Sequence, residues 1–187
     1  MKDWIKPIEK MQACSEALEW AEAFDTFGDA WQACKYGDWM LWLLDKLSGE
    51  PESDSRKKLV LAVCECVRLV SHYVKKGGMS SLRAIETTEK WARGEDGITL
   101  DEVRVAAHAA QDEIRVRAYT THTAYVASAV YAAHVAYATP TVYAAHAVSA
   151  AAYVVSAAAR KKILKRCADI VRKYYPVGCQ ELSKWNI

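Results

Sequence analysis

Ala118 to Ala159 reads AYTTHTAYVASAVYAAHVAYATPTVYAAHAVSAAAYVVSAAA, 42 residues without one Asp, Glu, Lys or Arg. Tyrosine recurs every six residues at Tyr119, Tyr125, Tyr131, Tyr137 and Tyr143, and His122, Ser128, His134, Pro140 and His146 stand midway between. Hexad repeats can build a parallel β-helix, but five copies supply fewer than two coils, and the sequence lacks the Gly or Asn corners such coils need. Alanine is the best helix former, so the repeat is read as helix. At about 100° per residue, a three-residue step falls about 60° short of a full turn. Tyr and His positions therefore drift around the helix, which has no dedicated solvent face. Methyl-sized residues between them let neighbouring helices approach closely.

The helix is announced upstream by Thr99-Leu-Asp-Glu102, a capping box with a hydroxyl at the N-cap and a carboxylate three residues on. Pro140 follows Thr139, so Thr139 can cap and Pro140 can open a second helix. The expectation is two long Ala-rich helices, roughly 100–138 and 140–174, forming a hairpin or one kinked rod at Pro140. Sequence does not choose between those.

Outward from this stretch, everything else also reads as helix. Apolar residues at helical spacing run from Met11 to Phe24, from Asp29 to Tyr36, from Arg56 to Lys76 and from Ser81 to Arg93, with glycines breaking the runs. Asp38 is placed to cap Trp39–Leu47, a helix apolar nearly all round and so expected to be a buried peg. Gly49 to Ser55 (GEPESDS) is polar and is the best candidate for a mobile linker. The fold class is therefore all-α, with an N-terminal bundle of short helices over 1–98 and the Ala/Tyr/His-rich pair with a basic end over 99–187.

The 52% hydrophobic content overstates the core, because 31 residues are alanine. Charge is uneven along the chain: residues 1–54 carry 5 basic and 12 acidic side chains, and residues 160–187 carry 8 and 2. The two ends are expected to complement each other on folding. The basic segment Arg160–Arg166 lacks interleaved aromatics, which argues against nucleic acid. The N-terminal residues MKDWIKPIEK are too charged for a cleavable signal, so a cytoplasmic location with reduced, buried thiols is expected. Two membrane spans in the uncharged stretch are disfavoured by its lack of Leu, Ile, Phe and Met and by its three His and five Thr.

Chemistry-bearing motifs are sparse. No pair of histidines stands at i, i+4, and His122, His134 and His146 rotate by about 120° from one to the next on a continuous helix. No metal and no cofactor is therefore expected. Neither a nucleophile elbow nor a phosphate-binding glycine loop occurs. Glu16, Glu19, Glu22, Asp25 and Asp29 have the spacing of a solvated helix face. Trp20, Trp31, Trp39, Trp42 and Trp91 lie on apolar faces and are assigned to the core, whereas Trp4 and Trp185, in polar termini, are candidate anchors for a partner. The remaining candidate binding residues are the ladder itself: Tyr119, His122, Tyr125, Tyr131, His134, Tyr137, Tyr143 and His146.

Three segments carry a resemblance: Ala13-Cys-Ser-Glu-Ala-Leu-Glu-Trp20, Ala30-Trp-Gln-Ala-Cys-Lys-Tyr-Gly-Asp-Trp-Met-Leu-Trp-Leu-Leu44 and Cys167-Ala-Asp-Ile-Val-Arg172. With the Ala-rich helices between them, the chain resembles the immunity-protein-5-like family of bacteria and their phages. Gly37-Asp-Trp-Met-Leu-Trp42 is its most specific element. The resemblance implies an all-helical cytoplasmic protein that neutralises a toxin by binding it, and it brings no catalytic residues. The uncharged stretch departs from that pattern and points to self-assembly or an altered surface. The leading expectation is thus a non-enzymatic binding protein, an immunity-like or phage counter-defence factor that sequesters a protein partner (a toxin or defence component), and is itself a homo-oligomer. A self-assembling helical structural protein, natural or engineered, and a sponge for small nucleotide signals are the alternatives.

Overall fold

The computed structural model describes residues 1–71, 79–116, 121–137, 143–153 and 156–177, without the side chains of 113–116, 121–126, 153, 157 and 158. All regular structure among the described residues is helical. In order the helices are α1 (Lys6–Lys10), α2 (Ser15–Ala21), α3 (Phe27–Ala33), α4 (Gly37–Leu47), α5 (Asp54–Arg68), α6 (Met79–Ala92), α7 (Leu100–Val116), α8 (Thr121–Tyr137), α9 (Tyr143–Tyr153) and α10 (Ala157–Tyr174). The all-α class expected from sequence is the one adopted, and long Ala-rich helices form the C-terminal half.

Each of the two long runs expected there is divided. The second breaks before Ser156, whose hydroxyl accepts from the Ala159 N–H at 3.4 Å and so caps α10. The two valines ahead of it are weak helix formers, and a serine after them is a cap signal. In the first, residues 117–120 lie outside the described ones, and α7 packs back against α8. Helix α8 in turn pairs with α9, and the ring contacts His134–Tyr143 and Tyr131–His146 run in opposite chain directions. The pair is therefore antiparallel, a hairpin and not a kinked rod. Thr139 and Pro140, with their expected cap, lie outside the described residues.

Local rules account for the other boundaries. The capping box forms as expected: the Thr99 N–H donates to Glu102 Oε2 at 2.7 Å and the Glu102 N–H donates to Thr99 Oγ1 at 3.3 Å. Helix α5 is capped by Ser53, whose hydroxyl accepts from the Arg56 N–H. The segment expected to be a mobile linker is instead a pinned turn. The Gly49 N–H donates to Ser55 Oγ at 3.1 Å, the Ser53 hydroxyl donates to Glu50 O at 2.7 Å and Arg56 Nε donates to Gly49 O at 3.1 Å.

The core lies where α4, α5, α8, α9 and α10 meet, and it draws on residues from both sides of position 98. Helix α4 is the buried peg expected, with Met40, Leu41, Leu43 and Leu44 inside. Alanines 129, 132, 133, 136, 144, 147, 151 and 152 are buried, so methyl-lined faces let α8 and α9 sit close to their neighbours. At Gly37 the backbone of α4 touches α10. A Cβ there would stand 2.5 Å from Cys167 Cβ and 2.8 Å from the Ala168 nitrogen, so glycine is required.

One ion pair crosses this core. Arg56 Nη1 lies 2.6 Å from Asp45 Oδ1, and the two side chains are 1% and 0% exposed. Asp45 Oδ2 also accepts from the Ala144 N–H at 3.3 Å, at the electropositive start of α9, and Arg56 Nη1 reaches Val135 O at 3.4 Å. The pair thereby fastens α4, α5, α8 and α9 to one another. Cys34, Cys64, Cys66 and Cys167 are buried and Cys14 is exposed, all as free thiols. Among the described residues no helix is long and apolar enough to cross a membrane.

Candidate functional site

The Tyr/His ladder divides on the structure. Tyr119 lies outside the described residues, as do the side chains of His122 and Tyr125 in α8. The α8–α9 hairpin brings the other five together. Tyr131 stacks on Tyr143 with ring centroids 5.8 Å apart and meets His146 edge-on at 5.6 Å. His134 lies 4.9 Å from the Tyr143 ring and 5.1 Å from that of Tyr137, and its Nδ1–H donates to Val130 O at 2.7 Å. The Arg104 guanidinium covers the Tyr137 ring at 5.1 Å, and burial pushes the Tyr137 hydroxyl pKa up. The four rings other than the exposed His146 are half-buried and turned to one another, which makes this cluster a wedge between two helices. No group of three His, Cys, Asp or Glu able to hold a metal occurs among the described residues.

The concave feature lies elsewhere. A cleft of about 300 Å³ opens between α1–α3 and the first turns of α4, with α9 behind it. Its walls carry two aromatic groups. Trp20 and Trp39 form one, with centroids 6.1 Å apart, and outside the lining Phe24 contacts Trp20 and Tyr36 stacks on Trp39 at 4.0 Å. Trp4, Phe27 and Trp31 form the other, at 6.0 and 5.5 Å. The structure thus moves Trp20, Trp39 and Trp42 from the core to a cleft wall, where all three are partly exposed, and leaves Trp31 and Trp91 buried as expected. Trp4 is partly exposed in the other aromatic group of the cleft, and Trp185 lies outside the described residues.

Several contacts hold these walls in place. Arg172 Nη1 from α10 donates to Trp31 O at 3.1 Å and Cys34 O at 2.8 Å, satisfying carbonyls at the C-terminal end of α3. Trp31 Nε1 donates to Tyr175 O at 2.9 Å. Lys2 Nζ ties the N-terminal segment to Phe24 O at 2.7 Å. On the far side, Ala145 and Ser149, one turn apart on α9, complete the lining.

Polar groups in the cleft are few. Asp38 does not cap α4 from outside, as expected, but lies in its first turn, with Oδ1 accepting from the Trp39 N–H at 3.1 Å and Oδ2 accepting from the Ser149 hydroxyl at 3.4 Å. Burial raises its pKa. Among the described residues no basic side chain forms an ion pair with it. Cys34 is pushed up to about 11 by burial, so its thiol stays protonated and is a poor nucleophile. The indole N–H of Trp4 is buried, with no acceptor among the described residues. Glu16, Glu19, Glu22, Asp25 and Asp29 are exposed, as their spacing implied.

The cleft escaped the sequence reading because its walls come from five separate helices, four of them with eleven residues or fewer between Lys6 and Leu47. The available signal was four tryptophans crowded into residues 20–42, on helices too short to bury them all. No family model, no curated protein and no solved structure matches the chain.

Proposed function

We propose that this is a non-enzymatic, cytoplasmic binding protein of the immunity or counter-defence kind, which sequesters a partner by taking an apolar group of it into the tryptophan-lined cleft. The observation that carries the reading is the cleft itself: concave, mostly apolar, rimmed by aromatic side chains and furnished with a small number of polar groups, as ligand sites are. Its thiol is held protonated and its carboxylate is engaged by a hydroxyl and a backbone N–H, an arrangement suited to holding a molecule. Partly exposed tryptophans are also the side chains that dominate binding energies. The likeness of Gly37–Trp42 to the immunity-protein family supports the same reading, since Asp38, Trp39, Met40 and Trp42 of that motif all line the cleft.

The test is protection. Cells making a toxic product encoded beside this chain are expected to survive when the chain is co-expressed, and to die when it carries Trp39→Ala. Survival undiminished by Trp39→Ala in a folded variant contradicts the role given to the cleft, and lack of protection against every neighbouring product contradicts sequestration of a toxin.

A further inference from the structure

Among the described residues Asp38 has no ion-pair partner and the Trp4 indole N–H has no acceptor. Asp38 is a carboxylate in a mostly apolar wall with no cationic side chain opposite it among the described residues. It accepts hydrogen bonds from Ser149 and the Trp39 N–H but forms no ion pair with a described basic side chain, and partial burial makes a charge there costly. Around it stand indole rings, whose negative faces attract cations. Trp20 and Trp39 are inclined at 62°, so that their rings bound a corner and do not stack shut. Trp4, on the opposite wall, holds a buried N–H with no acceptor among the described residues.

We infer that the cleft binds a small organic ammonium ion with an apolar, ring-sized body, its charged group against Asp38 and the Trp20 and Trp39 rings. This rests on the reading of the cleft as the binding site and adds the chemistry of what enters. A volume of about 300 Å³ matches the lower end of small-molecule pockets. The carboxylate works against phosphates and carboxylates, so an anionic ligand such as a nucleotide is the wrong sign for this cleft.

Three probes of one shape test this on the full chain: phenethylammonium, neutral 2-phenylethanol and anionic phenylacetate, titrated by calorimetry with the tryptophan indole resonances followed by NMR. The expected result is saturable binding of phenethylammonium, at least about tenfold tighter than 2-phenylethanol, with phenylacetate weakest. Asp38→Asn, nearly the same shape, is expected to remove that preference. Equal binding of the amine and the alcohol overturns the cation inference while the cleft stands as the site. Failure of all three probes to move the Trp20 and Trp39 resonances overturns the cleft as a binding site. A single-lysine peptide with glycine flanks that binds tighter than phenethylammonium assigns the cation to a polypeptide and overturns the small-molecule claim. The discrimination shown by the unmodified protein decides the matter even if Asp38→Asn folds poorly.

Discussion

At the scale of single residues, Gly37 and Asp38 are adjacent and carry opposite demands. Gly37 exists for space: its missing Cβ lets α4 touch α10. Gly37→Ala is expected to lower stability by about 1–3 kcal/mol, as overpacking does, measured as a reduced denaturant midpoint with an unchanged slope. An unchanged midpoint contradicts the contact. Asp38 instead trades stability for a charge in the cleft. Its folded pKa is raised by burial above the ordinary carboxyl value of about 3.9. Its contribution is therefore fully present below that value and is lost as pH rises through the folded pKa, because the unfolded chain releases the proton more readily. The stability of the wild type minus that of Asp38→Asn should fall as pH rises over this window. Denaturation across a pH series measures it, and a constant or rising difference refutes it.

At the scale of elements, boundaries followed chemistry where the signal was local. Thr99 and Glu102 made the capping box the sequence announced, and the alanines of the hexad repeat form helices that need no polar face. Ser156 was the missed signal, because 140–174 read as continuous when only alanine propensity was weighed. Ser156→Ala is expected to cost about 1 kcal/mol through loss of the α10 cap, visible in the denaturant midpoint. An effect no larger than that of an exposed serine elsewhere contradicts that role. The ladder shows why periodicity alone did not assign function. Spacing placed Tyr131, His134, Tyr137, Tyr143 and His146 correctly on helices, but only the hairpin decided that most of their rings face each other. The cleft was illegible for the converse reason. Trp4, Trp20, Trp31 and Trp39 share no helix, and nothing in their spacing encodes the approach of four short elements.

At the scale of the whole molecule, the acidic head and basic tail meet where Arg172 of α10 packs on the end of α3. Arg172 satisfies Trp31 and Cys34 carbonyls, Lys173 pairs with Glu65 of α5 at 3.1 Å, and the head carboxylates at 16, 19 and 22 stay in solvent. The deeper fastening is Arg56–Asp45, which joins four helices. Asp45→Ala leaves a buried guanidinium uncompensated and is expected to cost about 3–5 kcal/mol, whereas replacing both partners with apolar residues costs much less. Thermal or denaturant unfolding of the two variants checks this, and equal losses contradict it.

The account holds that the protein works through its tryptophan cleft and not through the uncharged ladder. The most direct test is the indole N–H spectrum of the full chain during titration with phenethylammonium. The expected result is saturable shifts of Trp4, Trp20 and Trp39, with Trp91, which lies in the core away from the cleft, unmoved. Cleft indoles that stay unmoved at saturating phenethylammonium, or shifts no larger than that of Trp91, would contradict it.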